Sequence, residues 1–127
     1  LRKGSLRTLE GYVLYSLIRK FNISKIIEVG TGNGFASLIC CKALQNNAIE
    51  GSILQTIDIE NRWEDYSLSK VFADYSLPSS LVHFTQGNSI DILKSKIFDE
   101  KFGLCIIDGL HEYEHVKKEI ELTTTIN

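Results

Sequence analysis

The stretch from Lys25 to Leu38, KIIEVGTGNGFASL, leaves little freedom in the choice of fold. A β-branched apolar run, Ile26-Ile27, leads to an acid, Glu28, and then to glycines at alternate positions, Gly30, Gly32 and Gly34. An apolar segment with helical spacing follows. Strand, tight glycine turn and helix N-terminus, in that order, make the ligand-binding corner of open α/β sheets. Glycine belongs where the backbone turns sharply and approaches a ligand closely, because a Cβ would obstruct both; Gly30 and Gly32 are the best candidates for that role. The spacing is G-x-G-x-G, whereas a dinucleotide fingerprint reads G-x-G-x-x-G, and Phe35 stands where its third glycine would fall. An acid two residues before the first glycine suits a ligand with a cationic end better than a pyrophosphate.

The remaining periodicity extends this corner into a sheet. Ser5 to Phe21 carries apolar residues at Leu6, Leu9, Val13, Leu14, Leu17, Ile18 and Phe21, the period of a helix with one wet face. Strands are expected over Lys25–Val29, Ser52–Asp58, Leu81–Thr85 and Phe102–Ile107. Helices are expected over Gly34–Leu44, closed by Gln45-Asn46-Asn47, and over Trp63–Asp74, Ser89–Ile97 and Tyr113–Leu122. In the last of these Val116, Ile120 and Tyr113 are expected to face inward. Pro78-Ser79-Ser80 reads as a loop. Strands alternating with helices imply an α/β fold: a Rossmann-like, doubly wound parallel sheet with helices on both faces and right-handed crossovers, of which the first four strands are present. The apolar runs are continuous, as they are when both sheet faces are covered. With 127 residues, the chain is read as one domain over 1–127, incomplete at its C-terminus.

Composition narrows the class. A net charge of −2 leaves no nucleic-acid footprint. No long apolar run or signal pattern is present, so a soluble, cytoplasmic protein is expected, with no membrane association. Cys40, Cys41 and Cys105 have no framework spacing and read as reduced thiols. The open edge of strand four would favour association, so a homo-oligomer is one expectation.

Several polar residues fall at strand ends, where such sheets bind ligands. A cationic ligand on a nucleotide-type corner points to S-adenosylmethionine, which has a free amino group and a sulfonium. Asp58 closes strand two, with Ile59 beside it; an acid there accepts from both ribose hydroxyls. Gly87-Asn88-Ser89 follows strand three; its small polar residues suit an adenine edge, and Ser89 also suits a helix cap. Asp108-Gly109-Leu110-His111 follows strand four. Asp108 offers hard oxygen to a divalent metal such as Mg, or stands near the methyl acceptor. His111 titrates in the range of a general base. His111-Glu112-Tyr113-Glu114-His115 also matches H-E-x-x-H, a zinc-protease signature. Its place directly after a buried strand, and the scarcity of third-ligand candidates among the residues that follow, argue against zinc.

Taken together these motifs resemble the class I S-adenosylmethionine-dependent methyltransferases. EVGTGNG looks like their first motif, TID at Thr56–Asp58 like their second-strand acid, and GNS at Gly87–Ser89 occupies the place of their Gly-Asp-Ala, with Asn88 replacing the usual acid. IIDGLHEYEHVKKEIE, Ile106 to Glu121, is similar to the I-D-G-x-H-x-Y branch of small-molecule O-methyltransferases. The resemblance implies that Glu28, Gly30, Thr31 and Gly32 cradle the methionine part of the cofactor. It implies that Asp58 and Ile59 hold the ribose side and that Asn88 and Ser89 line the adenine pocket. Asp108 and His111 become the catalytic candidates, with Asp108 also the metal ligand of metal-dependent members. It further implies a seven-stranded sheet of order 3-2-1-4-5-7-6 and a small-molecule methyl acceptor. Two rivals are a non-catalytic domain that binds S-adenosylmethionine or a partner, and an NAD-dependent oxidoreductase, against which the missing third glycine counts.

Overall fold

The computed structural model describes residues 8–95, 101–108 and 113–125. Its elements are α1 (Thr8–Lys20), β1 (Lys25–Val29), α2 (Phe35–Asn47), β2 (Ile53–Asp58), α3 (Arg62–Asp65), α4 (Leu68–Asp74), a 3-10 turn (Ser79–Leu81), β3 (Val82–Gln86), α5 (Ser89–Lys94), β4 (Leu104–Ile107) and α6 (Tyr113–Thr125). The four strands form one parallel sheet of order β3-β2-β1-β4. The chain steps outward from β1 through β2 to β3, then returns to the other side of β1. The strand order therefore reverses between β1 and β4, the point where such sheets open a crevice.

Side-chain alternation divides two cores across this sheet. Ile26 and Leu54 point to one face and pack with Ile18, Cys40, Cys41, Ala43, Leu44 and Phe72. Ile27, Val29 and Ile57 point to the other and pack with Leu93 and Phe102, flanked by Cys105 and Leu122. The continuous apolar reading of β1 follows: Ile26 and Ile27 are both fully buried, on opposite faces. At the sheet edge all four residues of β4 are only half-buried.

Several element boundaries differ from expectation for identifiable reasons. Gln45, Asn46 and Asn47 extend α2 rather than closing it. Each finds a tertiary partner: Gln45 donates to the Ser76 carbonyl (2.9 Å), Asn46 to the Tyr15 hydroxyl (2.7 Å), and Asn47 to the carbonyls of Ile18 (3.0 Å) and Ile23 (3.1 Å). The helix expected over Trp63–Asp74 is two helices, broken at Ser67, which takes a left-handed conformation (φ 48°). The break lets Trp63 lie against Phe72 and Phe84 while Leu68 turns under the glycine loop. Strand four begins at Leu104 rather than Phe102, although the Gly103 amide still donates to the Lys25 carbonyl (2.8 Å). Helix α5 ends at Lys94; the rest of the segment expected as helix lies outside the described residues.

Two helix faces are also corrected. On α1 only part of the apolar stripe is inside. Ile18 is buried and Leu14 and Tyr15 pack on the core, whereas Leu9, Val13, Leu17 and Phe21 are exposed. The contact with α2 is made through Gly11, where a Cβ would stand 3.2 Å from the Phe35 ring. That close crossing presents the Gly11–Ile18 side to α2 and turns the neighbouring stripe outward. On α6 the inward residues are Glu119 and Thr123; Ile120 is exposed, Val116 is half-buried, and the Tyr113 side chain lies outside what is described. Hydrogen bonding between Glu119 and α5 sets this rotation, and it overrides the apolar pattern.

Gly34 tests how tightly the corner is built. Its φ is +86°, and a Cβ there would lie 2.6 Å from Leu68 Cδ2; Gly51 has a similar φ (+81°) with nothing within 4 Å. Gly51→Ala is expected to cost about 1 kcal/mol for the left-handed backbone alone, and Gly34→Ala about 2–4 kcal/mol because overpacking adds to it. Urea unfolding of the two variants side by side separates the two contributions.

Candidate functional site

The C-terminal ends of the strands open on a cavity of about 370 Å³ lined by residues from every strand end and from α6. The sheet's hydrogen bonding continues into this rim. Gly30 donates to the Ile57 carbonyl (2.7 Å), Asp108 to that of Val29 (2.7 Å) and Gly87 to that of Asp58 (2.8 Å). The first residues beyond β1, β3 and β4 are thus held as firmly as the strands themselves.

The glycine loop takes the shape its composition predicts. Gly30 (φ 96°) and Gly32 (φ 57°) both line the cavity in left-handed conformations that cost other residues strain. The Gly32 amide donates to Asp58 Oδ2 (3.1 Å), and the Glu60 amide to Asp58 Oδ1 (3.1 Å). One carboxylate therefore joins the loop after β1 to the end of β2. Arg62, the first residue of α3, brings its Nε to 3.4 Å from Asp58 Oδ2 and a terminal nitrogen to 3.5 Å from Glu60. Desolvation works against the guanidinium's charge, but Asp58 and Glu60 outweigh it and hold its pKa above the ordinary value.

Glu28 and Thr31 stand apart from the cavity. Glu28 was expected to meet the ligand's cationic end, but its carboxylate lies beneath the loop, 1% exposed, and forms no part of the wall. Its Oε1 accepts from Ser37 Oγ (2.5 Å) and Thr56 Oγ1 (2.7 Å). Because Thr56 gives its proton to Glu28, the Thr31 hydroxyl, 2.7 Å from Thr56 Oγ1, is the donor of that pair. The chain Thr31–Thr56–Glu28–Ser37 ties the loop to β2, β1 and α2. Burial raises the Glu28 pKa from 4.5 to about 7, against the two hydroxyl bonds and with help from the charges of Asp108 and Asp58. Burial likewise pushes the Cys40 and Cys41 thiols up, which leaves them unreactive.

Beyond β3, Asn88 rather than Ser89 caps α5, its side chain accepting from the Asp91 amide (3.2 Å). Ser89 is the first helical residue, and its hydroxyl turns inward to Glu119 of α6. Asn88, Ser89, Ile59 and Asp108 all line the cavity. His111 lies outside the described residues. Among the described residues no group of three or more His, Cys, Asp or Glu is gathered to hold a metal ion. The second histidine of the H-E-x-x-H match, His115, is engaged with Glu119 (3.1 Å) and Ser89 (3.2 Å). Among the polar cavity residues, Arg62 and Glu119 were not expected in a cofactor site, and His115 entered the sequence reading only through the H-E-x-x-H match. Arg62 had no periodic signal, since Asp58 ends β2 and Arg62 opens α3. Glu119 had none, because a lone acid on an amphipathic helix reads as solvent-facing.

Glu28 generates a pH dependence of stability. Below the unfolded value of 4.5 both states are protonated; between 4.5 and about 7 only the unfolded state ionises, so its contribution to stability falls as pH rises, then levels off. At about 1.4 kcal/mol per pH unit the total is about 3 kcal/mol. Glu28→Gln, which keeps an acceptor for Ser37 and Thr56, is expected to flatten that slope in urea-unfolding series taken from about pH 5 to about pH 8.

Comparison with known proteins places these features. A relative from Mycobacterium sp. (strain JLS), named "Putative O-methyltransferase", is 26% identical over 106 residues, covering 84% of this chain and 46% of that protein. The O-methyltransferase TomG from Streptomyces achromogenes, solved with SAM, superimposes with a TM-score of 0.82 at 21% identity, over 100% of this chain and 54% of its own. The Bacillus cereus O-methyltransferase, solved with SAH, gives 0.82 at 19% identity, over 100% and 55%. The chain thus spans about half the length of these relatives, and the structural likenesses establish the Rossmann-like fold. The model of a methyltransferase-domain family matches residues 27–126, from β1 through α6, and the chain belongs to that family.

Proposed function

We propose that this domain binds S-adenosylmethionine in the cavity at the strand ends and serves methyl transfer to an oxygen of a small molecule. The observation that carries this reading is Asp58, which faces the cavity at the end of β2 while its Oδ2 holds the Gly32 amide. A ribose on Asp58 would lie against the loop that the same carboxylate positions, with Ile59 beside it. Gly30 and Gly32 leave room for the methionine end, while Glu28 and Thr31 act from below by fixing the loop. Asn88 and Ser89 border the base.

When bound, S-adenosylmethionine supplies a methyl group already activated by its sulfonium charge. The protein's work is then to align the acceptor and to receive its proton. Asp108, in the cavity wall at the end of β4, is the described residue suited to that proton, and His111 is its partner in our reading. A divalent metal would meet at Asp108 the hard oxygens of one carboxylate, and no step here runs through a metal. The relatives named O-methyltransferases support oxygen as the acceptor atom. No described helix is long and apolar enough to cross a membrane. A cytoplasmic setting is our reading of the buried, reduced thiols of Cys40 and Cys41.

Calorimetry with S-adenosylmethionine and its demethylated product tests the reading. Saturable binding is expected, and Asp58→Ala is expected to weaken it about tenfold or more, the worth of a charge-assisted hydrogen bond. Absence of binding at millimolar ligand would sink the reading. Binding without transfer across a panel of hydroxyl acceptors would leave a cofactor-binding domain.

A further inference from the structure

Arg62 stands in the cavity wall, and the cofactor reading above leaves it without a role. Its guanidinium is held on three sides. Nε faces Asp58 Oδ2 at 3.4 Å, Nη2 faces Glu60 Oε2 at 3.5 Å, and Nη1 donates to the Tyr66 hydroxyl at 3.5 Å. The Tyr66 ring lies against the same group, its centroid 5.9 Å away. The root of the side chain is fixed as well, because the Arg62 amide donates to the Glu60 carbonyl (2.8 Å).

This is not an ordinary surface ion pair, in which two long, solvated side chains meet at little net gain. The Asp58 side chain is 9% exposed and that of Arg62 26%. Nε is buried and makes no hydrogen bond among the described residues, so its tie to Asp58 is one of charge and no ligand atom reaches it. What Nε does for a ligand it therefore does through Asp58. That carboxylate stands among acids: Glu60 beside it, Asp108 in the same wall, and Glu28 beneath the loop, which feels the charges of both aspartates. A largely buried carboxylate stripped of its counter-charge turns toward solvent. Two amides, those of Gly32 and Glu60, would remain to hold it, with repulsion acting against them. A lysine would not replace this arginine. Its ammonium is a point charge, whereas the planar fork meets Asp58, Glu60 and Tyr66 at once.

Resting on the cofactor reading above, we infer that Arg62 is a positioning residue: its guanidinium, braced by Glu60 and Tyr66, holds the Asp58 carboxylate in the orientation that meets a ribose hydroxyl. The brace acts on one contact of the ligand and leaves the others alone. Loss of Arg62 therefore weakens what Asp58 gains from the hydroxyls, and the ligand's remaining contacts keep their strength.

The test is calorimetric titration of the wild type, Arg62→Met, Asp58→Asn and the double variant with S-adenosylhomocysteine and its 2′-deoxy and 3′-deoxy counterparts. The wild type is expected to bind the ribose form about tenfold or more tightly than at least one deoxy form, and Arg62→Met to reduce that preference to within about threefold. General weakening through altered packing would lower all affinities and leave their ratio unchanged, so the ratio separates positioning from structure. Adding Arg62→Met to Asp58→Asn is expected to weaken binding by less than about twofold further, since both act on one contact. A preserved ratio in folded Arg62→Met, or an equal loss from Arg62→Met with and without Asp58, overturns the inference while the cofactor reading stands. If Arg62→Met does not fold, Arg62→Gln decides on the same ratio. Equal binding of all three ligands by the wild type removes the ribose contact at Asp58 and this inference with it. Failure of the wild type to bind any of them removes the cofactor reading as well.

Discussion

A carboxyl group sits in the interior directly below the glycine loop, and the shape of the cavity's glycine corner depends on how it is satisfied. Glu28 has exchanged water for two hydroxyls, from Ser37 and Thr56, and through Thr56 it reaches Thr31 in the loop itself. Burying an ionised carboxylate with so few partners is unfavourable, so the protonated form is favoured well above the usual range. The group thereby joins three elements and the loop without placing a full charge in the core at mildly acidic pH. The glycines can adopt left-handed conformations there because the chain on both sides is tethered: from below by Thr31, and from the cavity side by Asp58 through the Gly32 amide.

Topology then determines which residues meet. With β1 central and the order β3-β2-β1-β4, the loops after all four strands open on one rim. Backbone bonds from Gly30, Gly87 and Asp108 carry the sheet's ladder into that rim. Residues as distant in sequence as Gly30 and Asp108 consequently share a wall whose geometry is that of the sheet rather than of flexible loops. The helix pair α5–α6 closes the remaining side through polar contacts of Ser89 with Glu119 and His115.

Much of this was legible in the chain. Strand β1 matches its expected bounds, Lys25–Val29, because β-branched residues bounded by a glycine turn admit few alternatives. The parallel order follows from alternation of elements. Among the candidate ligands, Gly30, Gly32, Asp58, Ile59, Asn88, Ser89 and Asp108 all reach the cavity wall. What escaped was the direction of side chains. Strand periodicity places Glu28 at the end of β1 but says nothing of Ser37 and Thr56, which draw its carboxylate inward. The stripe on α1 reads as one buried face, but a glycine crossing selects only part of it. On α6 Ile120 outranks Glu119 for burial on any hydropathy scale, and only a partner on another helix, invisible to local pattern, reverses the order.

The distribution of charge around the cavity has a kinetic consequence. Asp58 and Asp108 stand in its wall, with Glu119 behind them, and Arg62, the one guanidinium there among the described residues, is already turned to Asp58 and Glu60. A concave surface of predominantly one sign, backed by a low-dielectric sheet, focuses its field outward through the mouth. Cations are drawn along that field and anions turned away before any contact forms. Ionic strength therefore acts on the rate of arrival of a positively charged ligand far more than on its rate of departure. Such a ligand and its neutral, demethylated counterpart would differ in how fast they come in even where they fit equally well.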